Sequence, residues 1–276
     1  MKGLSMNEAA TERQIGDLER LLRSLGRIKI AVSGGVDSLT LAILAGRSVG
    51  ADAAMFHAVS PAVPRAATER VEATARAEGW RLHRVDAGEF LDEDYLRNPY
   101  RRCFHCKKNL YATLAGDLPG VTLSGTNRDD LGDFRPGLQA ADAFRVRHPF
   151  VECGVDKGSV RRICRRLGYP RIADLPASPC LASRVETGMR IDPAALEFID
   201  RVESLLRGAL GAEVVRCRVR HDGIAVQLGA DSLAALSSAA AEWWRERVLA
   251  LARPLGLPSR VLFEPYRMGS AFVEQP

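Results

Sequence analysis

Several features are missing from this sequence, and each absence argues against a class of protein. No apolar run approaches the roughly 18 residues that a membrane-spanning helix needs. The N-terminal segment MKGLSMNEAATERQ contains no apolar stretch, so we expect no signal peptide and a cytoplasmic location. With 46% hydrophobic and 26% charged residues among 276, the composition excludes disordered, collagen-like and coiled-coil chains.

A strong excess of charge is also missing. The 39 Lys and Arg residues against 34 Asp and Glu residues leave a formal net charge of +5. This mild excess suits an anionic small ligand and does not require nucleic acid. We therefore expect a small-molecule nucleotide substrate, with neither a membrane nor a nucleic-acid partner.

The first two thirds of the chain alternate between strand and helix patterns. This alternation predicts an α/β fold with a doubly wound parallel sheet. After about residue 186 the order becomes helix, hairpin, helix and strand, which predicts a smaller α+β domain. We therefore divide the chain at residues 1–186 and 187–276. The predicted strands cover 27–32, 53–59, 80–85, 121–125, 214–220, 224–228 and 260–264, and the main predicted helices cover 11–25, 66–78, 105–116, 156–167, 192–208 and 231–252.

A glycine-rich loop, Ser33–Ser38 (SGGVDS), directly follows the first predicted strand. Open α/β sheets bind ligands at this end of a strand, and the N–H groups of the next helix suit an anion. Ser33 and Ser38 add hydroxyl donors, while Asp37 could cap the helix or help hold Mg²⁺. The loop lacks the lysine of a Walker A motif. It predicts a phosphate site, against the alternative of a plain strand-to-helix turn.

The cysteines form a second constellation. A disulfide framework is not expected in a reducing cytosol. Cys103 and Cys106 form a Cys-x-x-Cys pair, and Cys180 supplies a third thiol. Three thiolates can hold one metal or cluster and leave a fourth position open. A structural zinc with His105, His57 or His83 as fourth ligand and a redox Cys-x-x-Cys are the alternatives. We interpret the other cysteines as core residues: Cys153, Cys164 and Cys217.

The segment GTNRDDLGDFRPG follows the fourth predicted strand. Asn127 and Asp130 are candidate nucleotide ligands, and Asp129 or Asp133 could also contact Mg²⁺ or the nucleotide. Alternatively, these acidic residues cap turns, since such residues favour them. Arg135, which precedes Pro-Gly, is a candidate anion contact.

The loop resembles the PP-loop of the N-type ATP pyrophosphatases. In order, SGGVDS, RCFHCKKNLY, GTNRDDLGDFRPG and SPCLASR resemble the LarE family of ATP-dependent sulfur transferases. That resemblance implies a role in nickel-pincer nucleotide cofactor biosynthesis. ATP, with Mg²⁺, would adenylate a carboxylate of a pyridinium dicarboxylate mononucleotide, and sulfur would then displace AMP. It implies that the ATP pyrophosphate binds Ser33, Gly34, Gly35, Asp37 and Ser38.

Two kinds of sulfur donor occur among members of the LarE family. Some members sacrifice the single cysteine of the SPCLASR-type segment. Others hold a [4Fe-4S] cluster with three cysteines, and this chain resembles them through Cys103, Cys106 and Cys180. The resemblance implies that Cys180 lies nearest the chemistry, with Asp37 as the other catalytic residue.

The resemblance is weaker after residue 190. It implies an Arg-x-Arg strand whose Arg216 and Arg218 bind the substrate phosphate. The register could equally select Arg218 and Arg220, because side chains two residues apart share one strand face and either pair could bind one phosphate. Gln227 occupies a position where the family has a glutamate, and its neutral side chain cannot supply the negative charge of that residue. Glu203, on the preceding predicted helix, matches a position that is acidic in the family. The family also favours a homo-oligomer. The other candidate phosphate ligands are Ser183, Arg184 and Arg267.

Three other functions remain open from the sequence. A cluster-dependent tRNA thiolase also pairs a PP-loop with three cysteines, but it requires an RNA-binding basic surface. A zinc-stabilised nucleotide-binding protein would have no catalytic activity. An amidoligase that uses ammonia would leave the three cysteines unexplained.

Overall fold

The computed structural model describes residues 6–132 and 136–271. These residues form two compact units. The first unit contains the residues up to Val59 together with Arg65–Glu89 and Cys103–Ser178, and the second contains Ser60–Pro64, Phe90–Arg102 and the residues from Pro179 onward. Two short early segments therefore fold with the C-terminal part of the chain. The predicted assignment of separate roles to 1–186 and 187–276 stays a prediction.

A four-stranded parallel sheet forms the centre of the first unit. Its strands are β1 (Ile28–Ala31), β2 (Ala53–Ala58), β3 (Leu82–Val85) and β4 (Val121–Ser124). They are ordered β3-β2-β1-β4, and every neighbouring pair is parallel. The central strands β1 and β2 are almost entirely buried, as expected for strands covered on both faces. The predicted α/β fold is thus confirmed.

The helices connect and cover these strands and those of the second unit. They are α1 (Met6–Ser24), α2 (Val36–Val49), α3 (Arg65–Glu78), α4 (Glu93–Leu96), α5 (Arg102–Asp117), α6 (Pro136–Ala143), α7 (Pro149–Glu152), α8 (Lys157–Arg166), α9 (Pro170–Ala173), α10 (Pro193–Leu210), α11 (Ala230–Ala234) and α12 (Ser238–Ala252). Among the described helices, none combines the length and apolar character needed to cross a bilayer.

The second unit contains a three-stranded sheet of β5 (Val215–Arg220), β6 (Gly223–Leu228) and β7 (Val261–Pro265). Strands β5 and β6 form the predicted antiparallel hairpin, and β7 pairs with β6 in parallel. The prediction of one helix over 231–252 is wrong. The side chain of Ser237 accepts a hydrogen bond from the Ala240 backbone N–H and caps a new helix, so the segment divides into α11 and α12.

Two of the three cysteines that we interpreted as core residues are fully buried in the structure. Cys164 is fully buried among the apolar residues between α8 and α2, and Cys217 is fully buried on β5. Cys153 is partly buried and packs against the same core as Cys164. Burial raises the pKa of all three thiols, which disfavours the reactive thiolate.

Candidate functional site

The loop after β1 is closed by hydrogen bonds between its two serines. The Ser33 backbone N–H donates to Ser38 Oγ (3.1 Å), and Ser38 Oγ in turn donates to the carbonyl oxygen of Gly35 (3.2 Å). Gly34 has a φ of +82°, and a Cβ at this position would lie 2.8 Å from the carbonyl oxygen of Ala67. Only glycine fits there. The hydroxyls and N–H groups therefore gather at the start of α2, an arrangement that suits an anion.

Residues that follow β4 meet this loop from the neighbouring strand. Asn127 Nδ2 donates to Asp37 Oδ1 (3.0 Å), and the Asn127 backbone N–H donates to Asp130 Oδ2 (3.0 Å). A Cβ on Gly125 would lie 2.7 Å from the Ser38 backbone nitrogen, so the two segments are in close contact. The structure thus brings the predicted ATP-site residues together: Ser33, Gly34, Gly35, Asp37, Ser38, Asn127 and Asp130.

The electrostatics at Asp37 favour a bound cation. Burial raises the pKa of the Asp37 carboxyl, the hydrogen bond from Asn127 partly offsets this rise, and the negative charge of Asp130 adds to it. A divalent cation beside the two carboxylates would offset both the desolvation of Asp37 and the repulsion from the Asp130 charge. Asp37 and Asp130 could therefore hold Mg²⁺, which prefers oxygen ligands.

Helix α3 supports the loop from outside. Arg70 Nε donates to the carbonyl oxygen of Gly34 (2.8 Å). His57 Nδ1 lies 2.8 Å from the carbonyl oxygen of Val32, and its Nε2 lies 2.9 Å from Thr68 Oγ1. A carbonyl only accepts, so Nδ1 carries the hydrogen and Nε2 accepts from the hydroxyl. Because both ring nitrogens are engaged, His57 does not fit the role of fourth zinc ligand.

The buried His57 predicts a pH-dependent stability. Burial lowers the pKa of His57 from its ordinary value of 6.5. The unfolded chain therefore takes up a proton first, and stability that is complete above about pH 6.5 decreases as the pH falls. The free energy of unfolding is measured by urea titration between about pH 6.5 and 5. We expect it to fall less steeply with pH in His57→Gln than in wild type, and the two slopes should differ by at most ~1.4 kcal/mol per pH unit. Substitution of the exposed His221 by Gln is the control. Equal slopes for His57→Gln and wild type would contradict the assignment.

The Cys-x-x-Cys pair lies in the first two turns of α5. Cys103 and Cys106 are three residues apart and therefore share a helix face, and both are half-buried. None of the six cysteines, all of which lie within the described ranges, forms a disulfide. At the other end of α5, Lys29 Nζ donates to the carbonyl oxygens of Leu114 (2.6 Å) and Leu118 (2.7 Å), which ties the helix to β1. Two thiols on one helix face fit two ligand positions of a metal or iron–sulfur cluster.

The third predicted ligand, Cys180, is exposed and precedes a short 3₁₀ helix. Its carbonyl oxygen accepts hydrogen bonds from Ser183 Oγ (2.7 Å) and Arg184 Nη1 (3.1 Å). Arg184 is only 1% exposed, and its Nε and Nη2 donate to the two carboxylate oxygens of Glu203 at 2.9 and 3.1 Å. Burial opposes the charge on Arg184, but the attraction of Glu203 outweighs it and the net pKa is raised. Ser183 and Arg184 thus fix the backbone that carries Cys180, and their predicted phosphate contacts stay predictions.

Arg216 and Arg218 lie on one face of β5, and both are buried. Arg218 donates to Gln227 Oε1 (2.7 Å) and to the carbonyl oxygen of Arg267 (3.0 Å). Burial, with the positive charge of Arg184 nearby, lowers the pKa of Arg218 to about 10. These residues are therefore neighbours within the second unit, while their binding of a substrate phosphate stays a prediction.

A carboxylate lies beside Gln227, on the next strand. The parallel pairing of β6 and β7 sets Gln227 opposite Glu264, and Gln227 Nε2 donates to Glu264 Oε1 (2.7 Å). Arg220 Nη2 donates to the same oxygen (2.7 Å). Arg220, Glu264, Arg267 and Ser270 line a cavity of about 300 Å³. Sequence reasoning missed this contact because it depends on the register of two strands that are distant in the chain.

The contacts of His57 and Arg70 with the loop were likewise not predicted from the sequence, because each joins two separate elements.

Asp133 and Arg135 lie outside the described residues. Asp129 accepts a hydrogen bond from the Lys157 backbone N–H (3.1 Å), which is a structural contact of the kind expected for a turn residue.

Comparison with known proteins places the chain in a family. No protein-family model matches it. The uncharacterized protein slr1717 of Synechocystis is 36% identical over 221 residues, which cover 79% of this chain and 82% of that protein. This chain belongs to the slr1717 family. The uncharacterized protein MJ0830 of Methanocaldococcus jannaschii is 28% identical over 185 residues, which cover 66% of this chain and 69% of that protein.

This slr1717-family chain is also similar to a protein whose name states the product that it makes. The pyridinium-3,5-bisthiocarboxylic acid mononucleotide synthase of Lactiplantibacillus plantarum is 26% identical over 220 residues, which cover 75% of this chain and 76% of the synthase. The predicted LarE-like relationship is thereby supported at the level of a distant homologue.

Proposed function

We propose that this chain is an ATP-dependent sulfur transferase of nickel-pincer nucleotide cofactor biosynthesis. It adenylates a carboxylate of a pyridinium dicarboxylate mononucleotide and converts that group to a thiocarboxylate. One observation carries the proposal: Ser33–Ser38, Asn127 and Asp130 gather beside the parallel sheet. They do so in a chain that aligns over 75% of its length with a bisthiocarboxylic acid mononucleotide synthase.

The first step activates the carboxylate. A substrate oxygen attacks the α-phosphorus of ATP, the bond from that phosphorus to the bridging oxygen breaks, and pyrophosphate leaves. In this proposal the Ser33 and Ser38 hydroxyls and the N–H groups at the start of α2 bind the pyrophosphate part of ATP. Asp37 and Asp130 would hold Mg²⁺, and its charge would offset the effect of burial on Asp37.

The second step introduces sulfur. A sulfur nucleophile attacks the acyl carbon, the bond from that carbon to the AMP oxygen breaks, and AMP leaves. We assign Cys103, Cys106 and Cys180 as ligands of a [4Fe-4S] cluster, which when bound would supply transferable sulfide. Cys180 is the residue nearest the chemistry, and its exposure leaves it accessible. The proposed ligands of the substrate phosphate are Ser183, Arg184, Arg216, Arg218 and Arg267.

The proposal is tested with protein purified without oxygen. On incubation with ATP, Mg²⁺ and the mononucleotide, we expect equal amounts of AMP and pyrophosphate and a product whose mass reflects exchange of oxygen for sulfur. Mass spectrometry and nucleotide chromatography measure both. A parallel incubation with tRNA should give no thiolated nucleoside. Sulfur in tRNA and none in the mononucleotide would instead support a tRNA thiolase.

A further inference from the structure

One arginine beside the loop has no role in the steps above. Arg70 lies on α3, is half-buried, and donates through Nε to the carbonyl oxygen of Gly34 (2.8 Å). Within residues 6–132 and 136–271, this is the one hydrogen bond of its guanidinium, and it forms no ion pair there. Its Nη1 and Nη2 groups therefore retain all of their hydrogen-bond donors.

The position of this guanidinium is fixed by its surroundings. Helix α3 approaches the loop so closely that Ala67 leaves no room for a Cβ on Gly34. The next residue, Thr68, is tied through His57 to the backbone immediately before the loop. A guanidinium is planar and rigid, so anchoring Nε on Gly34 also sets both Nη groups beside the loop.

Among the described residues, no acidic side chain pairs with Arg70, in contrast to two other arginines that are also partly or fully buried. Arg47 pairs with Glu78 (2.7 Å), and Arg184 pairs with Glu203 (2.9 Å). For Arg70, burial lowers the pKa and no carboxylate within residues 6–132 and 136–271 offsets this effect. A partly desolvated cation of this kind is stabilised when an anion arrives, most strongly when a phosphate accepts two parallel N–H hydrogen bonds.

We propose that Arg70 binds the β- and γ-phosphates of ATP through its Nη groups, so that the site prefers ATP and pyrophosphate to AMP. This inference rests on the proposed function, in which the loop at Gly34 holds the pyrophosphate part of ATP. Arg70 acts there as a ligand of the leaving group, which gains negative charge as the bond to the α-phosphorus breaks.

Calorimetric titration of the full chain with ATP, pyrophosphate and AMP tests this assignment. We expect Arg70→Gln to bind ATP and pyrophosphate about 10- to 100-fold more weakly, with AMP affinity within about twofold of wild type. Arg70→Lys, which keeps the charge but loses the fork, should lie between the two. Arg76→Gln removes an exposed arginine of the same helix and should match wild type. Circular dichroism checks the folding of each variant.

Three outcomes would overturn the inference. Unchanged ATP affinity in Arg70→Gln would remove Arg70 from the site and leave the proposed function standing. An equal loss of ATP and AMP affinity in both Arg70 variants would mean that Arg70 only braces the Gly34 carbonyl. If wild type binds neither ATP nor pyrophosphate, the proposed function fails, and the role of Arg70 fails with it.

Discussion

Cys180→Ala is expected to abolish thiocarboxylate formation while pyrophosphate release continues. The two steps use different groups: the adenylation residues lie in the first unit, around Ser33–Ser38, whereas Cys180 belongs to the second. Ser183 and Arg184 hold this loop through the backbone carbonyl of Cys180, and within the part of the chain that the structure describes the thiol takes no part in these hydrogen bonds. Its removal should therefore change the sulfur step and leave the fold intact.

The comparison uses product mass and pyrophosphate release, measured in the same incubation. Cys153→Ala is the matched control, because Cys153 is a partly buried cysteine whose pKa is raised by burial. This control should keep both activities. Normal thiocarboxylate formation by Cys180→Ala would contradict the assignment of this cysteine to the sulfur step. Formation of a carboxamide with added ammonia, and no thiocarboxylate from wild type, would instead favour an amidoligase.

The source of the sulfur is decided by the metal content of the same preparations. Anaerobic wild type should contain iron and acid-labile sulfide in amounts that fit one [4Fe-4S] cluster, and Cys103→Ala should lose both. Stoichiometric zinc without iron would contradict the cluster. An absence of metal, together with loss of the mass of H₂S from the chain after turnover, would identify Cys180 as a sacrificial donor.

Glu203→Gln is expected to cause the largest loss of stability, with a decrease of about 3–5 kcal/mol in the free energy of unfolding. Glu203 is 3% exposed and accepts hydrogen bonds from Arg184 and from the Cys217 backbone N–H (3.0 Å). Substitution by Gln retains the shape but leaves the buried guanidinium of Arg184 without its counter-charge. The expected loss of stability therefore comes from burying an unpaired cation, because the packing at this position is retained.

Urea unfolding and hydrogen exchange measure this effect. Peptides of α10 and β5, which belong to the second unit, should exchange faster in Glu203→Gln, while peptides of β1 should not change. The double variant Arg184→Met with Glu203→Met should recover part of the stability, because it removes the charge of Arg184 together with its partner, while Arg216, 4.0 Å from Glu203, keeps its charge. A double variant as unstable as Glu203→Gln would contradict the assignment of the loss to the unpaired charge of Arg184.

The fold and the loop could be predicted because their signals are local. Each strand of the parallel sheet is a short apolar run that ends in turn residues, and Ser33–Ser38 joins one such run to a helix. Parallel topology then sets Asn127 near Asp37, since the carboxyl ends of neighbouring strands meet at one edge of the sheet. The hairpin of β5 and β6 was predictable from His221, Asp222 and Gly223 for the same reason.

The contacts that sequence reasoning missed depend on the register and packing of distant segments. Glu264 reaches Gln227 only because β7 adds to β6 in parallel, and no pattern within either strand specifies this pairing. Arg70 and His57 occupy ordinary positions on a helix and a strand, and their role emerges from the close approach of α3 to the loop. The break between α11 and α12 was hidden because a single serine cap interrupts an otherwise helical pattern.

The central claim is that ATP activates a carboxylate by adenylation, and an isotope experiment tests it most directly. The mononucleotide is labelled with ¹⁸O in its carboxylates and incubated with the full chain, ATP and Mg²⁺. The account predicts one ¹⁸O atom in the phosphate group of AMP for each thiocarboxylate formed, with unlabelled pyrophosphate. Label in inorganic phosphate together with ADP, or thiocarboxylate formation with unlabelled AMP, would contradict it.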